Sequence, residues 1–144
     1  MIALLLAFFL ECPLHQQHMA DARHDTFGMS HETSQHSFRL FADGGAIELR
    51  GDAAAAIQKH MREVTSDFSR GDFAKPLFVH GVMPDGAAHM KELGDAIAYK
   101  FEELPEGGRI RITTTNADAL KAVHEFLRFQ IKDHGTKDSG TIER

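Results

Sequence analysis

Ser37-Phe38-Arg39-Leu40-Phe41, Asp43-Gly44-Gly45 and Ala46-Ile47-Glu48-Leu49-Arg50 follow one another almost without a break. The outer pieces alternate apolar and polar residues, and the Gly-Gly pair between them permits a tight turn. That is the pattern of a β-hairpin. Beyond it, Gly51-Asp52 opens a segment in which Ile57, Met61, Val64 and Phe68 recur at helical spacing. Residues 53–69 therefore read as an amphipathic helix, with Asp52 as its N-cap.

The same order returns further along. Ile97, Tyr99 and Phe101 alternate with polar neighbours, Leu104-Pro105-Glu106-Gly107-Gly108 turns the chain, and Ile110 and Ile112 alternate on the return. Asn116 then caps a helix over about 117–132, with Asp118 favourably placed in its first turn. Gly44-Gly45-Ala46-Ile47 matches Gly107-Gly108-Arg109-Ile110. With one inserted residue, His60 and His124 occupy equivalent helix positions. The expectation is an α+β fold: two ββα units, hairpins near 37–50 and 96–114, forming one antiparallel sheet with both helices on one face and a pseudo-two-fold between the units. Between them, Gly71 to Pro76 reads as a loop, Leu77-Phe78-Val79-His80 as a short extended piece, and Pro84-Asp85-Gly86 as the start of a short helix carrying Met90 and Leu93.

The domain expectation is a signal-like apolar segment and His/Cys arm over 1–22, an arm or loop over 23–35, the ββα-ββα domain over 36–134, and a polar, frayed tail over 135–144. The opening run MIALLLAFFL is too short to span a bilayer but matches the apolar region of a secretory signal. It predicts export, to the periplasm or beyond, with no membrane span in the mature chain. If Met19 is the true start, the chain is cytoplasmic. One Cys permits no internal disulfide. A formal net charge of −5 argues against nucleic acid as a partner.

Histidine carries the chemistry. Ten of the 144 residues are His, and His15, His18, His24, His31 and His36 crowd the arm together with Met19, Met29 and Cys12. Imidazole, thioether and thiolate bind copper and zinc, and a mixture of His and Met favours copper. Cys12, His15 and His18 sit at intervals of three and form a candidate arm site. The candidate core site draws on His36, His60, His80 and His124, with Met29, Met83 or His31 as further ligands. Each histidine has a plainer reading as a packed residue satisfied by a backbone carbonyl. The common catalytic signatures, among them HExxH, CxxC, GxSxG and the P-loop, are absent.

Several stretches together resemble a family of small, mostly uncharacterised bacterial exported proteins: Met29 to Phe38, Gly44 to Ile47, Gly71-Asp72-Phe73 with Pro76, Val79-His80-Gly81, and Ala122 to His134. The resemblance spans Cys12 to His134. It implies a signal peptide and a Cys-Pro-x-His segment, here Cys12-Pro13-Leu14-His15, akin to metal-binding segments of copper-handling proteins. Some members carry an aspartate carbamoyltransferase label, but that enzyme is larger and its Ser-Thr-Arg-Thr loop is missing here. Where members often read Thr-Thr-His-His-Phe, this chain has Thr33-Ser34-Gln35-His36-Ser37-Phe38. Where they read Cys-Pro-Met-His, it has Leu14.

The expected function is binding of a transition-metal ion, copper first and zinc second, for sequestration or delivery, with the metal ion as partner. The alternatives are a small enzyme or small-molecule-binding domain using His60 and His124 as acid/base or pocket residues, and a structural or interaction module without ligand. The metal reading requires at least three of His36, His60, His80 and His124 to converge on one spot.

Overall fold

The computed structural model describes residues 13–144, with side chains from residue 19 onward. Its elements run α1 (Pro13–Asp25), β1 (Ser34–Phe41), β2 (Gly44–Gly51), α2 (Ala54–Ser69), α3 (Ala74–His80), α4 (Ala87–Glu92), β3 (Ile97–Leu104), β4 (Gly107–Thr114), α5 (Ala117–His134) and β5 (Ile142–Glu143). The strands form one sheet in the order β3-β4-β2-β1-β5, antiparallel except where β5 runs parallel to β1. The fold is α+β, with the helices against one face of the sheet.

The two hairpins join through β2 and β4, and their register is centred on Ile47 opposite Ile110. The repeated glycines have matching work. A Cβ on Gly44 would lie 1.9 Å from the Ile112 carbonyl oxygen, and one on Gly107 would lie 2.0 Å from that of Leu49. Each glycine therefore lets one hairpin approach the other. One residue on, a Cβ on Gly45 would collide with Leu127 of α5, and one on Gly108 would meet Met61 of α2. So each helix lies over the other unit's glycine. Ile57, Met61, Val64 and Phe68 from α2 and Val123, Phe126 and Leu127 from α5 close the core on Leu40, Leu49, Ile110 and Ile112.

The histidine match within the repeat is corrected. From Gly44 to the start of α2 and from Gly107 to the start of α5 the chain runs the same length, with no insertion. His60 therefore stands opposite Val123, and Met61 opposite His124.

Four local expectations are also corrected. Pro13–Asp25 is a helix, not an irregular arm. It packs against α3 and α5, with Ala20 and His24 buried one turn apart. Leu77 to His80 is the end of helix α3. Three apolar residues are too few to separate helix from strand, and Pro76 stands in the first turn, where no intrahelical N–H is needed. Gly81, at φ 72°, ends that helix in the left-handed conformation. The N-cap of α2 is Ala53, not Asp52, and makes no side-chain bond. Asn116 does cap α5, its Oδ1 accepting from the Ala119 N–H at 2.9 Å.

Lastly, the polar tail is tied down. α5 runs to His134. Asp138 accepts from the Phe38 N–H at 3.0 Å and from the Ser37 hydroxyl at 2.8 Å, and Glu143 pairs with Arg39. The tail is polar because it covers a strand edge, not because it is free. No described helix is long and apolar enough to cross a membrane.

Candidate functional site: a cluster of five histidines

Five elements each send one histidine to the same place: His24 from α1, His36 from β1, His60 from α2, His80 from α3 and His134 from α5. The strand and helix periods explain why. His36 shares the helix-facing side of β1 with Phe38 and Leu40. His60 belongs to the buried stripe of α2. His134 continues the line of Val123, Leu127 and Gln130 along α5. His24 lies one turn after Ala20 on the covered face of α1, and His80 is the last residue of α3.

The rings form a continuous row. Centroids lie 5.6 Å apart for His60 and His24, 4.5 Å for His24 and His36, 4.4 Å for His36 and His134, and 4.9 Å for His134 and His80. His36 and His134 are stacked, and the other three pairs meet edge to face. Phe27 packs beside His60, and Phe38 stacks on both His36 and His134. All five rings line one cavity of about 70 Å³, together with Phe126 and Gln130. A wider outer pocket bordered by Asp21, His31 and Lys137 reaches His24, His36 and His134 from solvent. An open groove on the other side, bordered by Met19, Arg23 and Arg128, has His80 in its wall.

His24, between His60 and His36 in the row, is its anomaly. It is 4% exposed, and both ring nitrogens are buried without a hydrogen-bond partner among the described residues. A neutral imidazole has one donor and one acceptor, so both are left unsatisfied. Such groups are rare in native proteins and cost about 1–3 kcal/mol each. His80 is the opposite case. Its Nδ1 is bonded to the Asp133 carboxylate and its Nε2 faces Gln130 Oε1 at 2.8 Å. The Gln130 Nε2 is buried and unpaired. Turning that carboxamide over would satisfy the nitrogen but strand the oxygen, so Gln130 keeps one unpaired polar atom in either orientation.

Burial governs the charge of the cluster. It pushes His24 and His60 each down to about 4 and His134 to about 3. His36 is held well below its ordinary value by burial and then by the neighbouring His134. Neutral imidazoles are the ligand form. At the mouth, His31 bonds Asp25 at 2.7 Å, and that bond raises its pKa.

Of the four core histidines expected from sequence, His36, His60 and His80 line the same cavity, with His24 and His134 standing between them in the row. His124 does not. Its Nε2 lies 2.9 Å from the Phe41 carbonyl oxygen and 3.0 Å from that of Gly44, where it secures the first hairpin turn. Met29 is buried in the general core, outside the cavity lining, and Met83 is exposed. His31 borders the outer pocket but is engaged with Asp25. Cys12 lies outside the described residues. His15 and His18 lie on α1, with their side chains outside the described set.

Two members of the cluster, His24 and His134, were not among the expected core ligands. The helical continuation of the α5 stripe would have found His134. For His24, only its place in the histidine-rich arm was visible.

Imidazole count and the unpaired nitrogens suit a transition-metal ion. The directions of the nitrogens suit it less well. Among the described residues no group of three or more His, Cys, Asp or Glu side chains converges closely enough to hold a metal ion. A preformed tetrahedral zinc site needs such a group. Cu(I), a soft d¹⁰ ion, accepts as few as two ligands. Comparison with protein-family models, curated proteins and solved structures finds no match to this chain.

Proposed function

We propose that the protein binds a transition-metal ion, Cu(I) before zinc, at the five-histidine cluster, and that it sequesters or delivers that ion. The observation that carries this reading is His24: a buried imidazole with both nitrogens unpaired, set between two other imidazoles. His24 would hold the ion, with His36 and His60 the adjoining donors. A bound cation would satisfy a nitrogen that otherwise has nothing to bond. The outer pocket supplies access to His24 and His36. The apolar run at residues 1–10 supports export as the setting.

The small-molecule reading has less support. The histidine cavity, at about 70 Å³, is far below the few hundred Å³ typical of organic ligands. His124, one of its two proposed acid/base residues, is engaged elsewhere.

The test is a Cu(I) titration under reducing conditions against a competing chromogenic chelator. One tight site per chain is expected. His24→Ala should weaken it by about 100-fold or more, while His89→Ala, on the exposed surface of α4, leaves it unchanged. Absence of a tight site, or equal losses in both variants, would refute the reading.

A further inference from the structure

The two flanks of the paired hairpins, β1 and β3, are treated differently. At β1, the tail supplies β5 and Asp138 as cover. At β3, no described strand lies beyond Ile97–Leu104. The direction of its free hydrogen-bonding groups follows from the turn. Leu104 and Gly107 close a two-residue loop, Pro105-Glu106, and such closing residues bond each other. Leu104, Glu102, Lys100 and Ala98 therefore spend their main-chain groups on β4, while Glu103, Phe101 and Tyr99 present theirs outward. Carried across the sheet, the same alternation turns the Phe38 N–H outward on β1, where it does bond Asp138.

The side chains along β3 have an unmet requirement. On the face away from the helices, Glu102 stands opposite Arg109 and pairs with it at 3.0 Å. Lys100 stands opposite Arg111, a second cation, which is itself paired with Asp43. Lys100 is exposed and takes part in no ion pair among the described residues. Like charges directly opposite each other are unfavourable, and an anion on the other flank would relieve them.

We infer that β3 is a self-association edge: two copies of the chain pair antiparallel through β3, with Phe101 opposite Phe101 of the second copy. In that register the outward main-chain groups of Tyr99, Phe101 and Glu103 meet their counterparts, for about six hydrogen bonds. Lys100 then falls opposite Glu102 of the second copy, twice over by symmetry. These are non-hydrogen-bonded positions, where opposing side chains approach closest. The charges across the joint run Arg111, Lys100, Glu102, Arg109, so each lysine gains an anion on its open side. On the helix side the half-buried Phe101 rings cover one another. Charged residues on an edge strand often serve to discourage pairing. Here the signs are self-complementary in the one register that also aligns the hydrogen bonds. The inference is independent of metal binding.

Sedimentation equilibrium of the full chain tests it. The expected mass at about 100 μM is twice the 16.0 kDa of the chain. Lys100→Glu sets two carboxylates face to face and should raise the dimer dissociation constant by at least about tenfold. The double variant Lys100→Glu/Glu102→Lys exchanges the signs and should recover the dimer. Circular dichroism should show the Lys100→Glu variant folded, because the introduced carboxylate would oppose Arg111 favourably. Carbodiimide treatment of mixed ¹⁵N-labelled and unlabelled chains should join Lys100 of one to Glu102 of the other. A wild-type monomer at this concentration, a dimer indifferent to Lys100→Glu, or a dimer lacking the mixed-label crosslink would overturn the inference.

Discussion

His24 and His124 are both buried histidines, and their polar atoms are served in opposite ways. His124 bonds to two carbonyl oxygens across the first hairpin turn, whereas the His24 ring nitrogens have no hydrogen-bond partner among the described residues. Replacing each should therefore do different things. His124→Ala removes a bond and opens a cavity, so it should destabilise the fold by about 2–3 kcal/mol in urea denaturation and leave Cu(I) affinity alone. His24→Leu exchanges an unsatisfied polar ring for an apolar side chain of similar size. It should raise the stability of the metal-free protein by about 1 kcal/mol and abolish the tight site. A loss of stability in His24→Leu would mean that the ring already has a satisfying partner. The sequence showed His124 on a covered helical face and His24 only within a histidine-rich arm, and it could not show which ring is satisfied, because the carbonyls that satisfy His124 come from about 80 residues away in the chain.

The hairpin elements were legible because their information is local: strict alternation, Gly-Gly turns and a helical stripe within one window each. Their pairing was legible because it repeats. What escaped was structure decided by tertiary contact. α1 has no apolar period, and among its described side chains Ala20 and His24 are the buried ones that mark its covered face. α3 carries a run of three apolar residues, Leu77 to Val79, that fits either type of element. The tail is held by carboxylates, Asp138 and Glu143, which read as solvated ends. The site was half legible for the same reason: histidine number was visible, but which rings meet depends on five separate elements. The repeat also makes a prediction at this scale. Gly44→Ala and Gly107→Ala each drive a Cβ to about the same distance from a carbonyl oxygen of the other hairpin. Thermal denaturation should show similar large losses, about 3 kcal/mol or more apiece. A large loss at one and a negligible loss at the other would break the structural equivalence of the two units.

For the whole molecule, the cluster couples folding to pH, since its histidines come from α1, β1, α2, α3 and α5. In the unfolded chain each titrates near the ordinary histidine value, about 6.5. In the folded chain burial holds His24 and His60 at about 4 and His134 at about 3, and His36 is also lowered. Between those limits the unfolded chain binds more protons, so stability rises with pH. The contribution is complete above about pH 7. It is lost progressively as pH falls from about 6.5 towards 4, and His24, His60 and His134 add no further loss well below about 3. The shifts of His24, His60 and His134 each represent a few kcal/mol, and such terms together approach the whole stability of a small domain. Urea denaturation of the metal-free protein should therefore show a steep fall between pH 7 and pH 5. His24→Leu should make that fall shallower by about one proton's slope. α1 should go first, because it lies outside the two ββα units and is held by α3, α5 and the cluster, so its amides should lose exchange protection before those of β2 and β4. Cu(I) competes with protons for the same nitrogens and should move the transition to lower pH. A stability profile flat from pH 7 to pH 5 would show that the rings accept protons without opening the structure, and the account of His24, His36, His60 and His134 as buried rings held neutral by burial would fail.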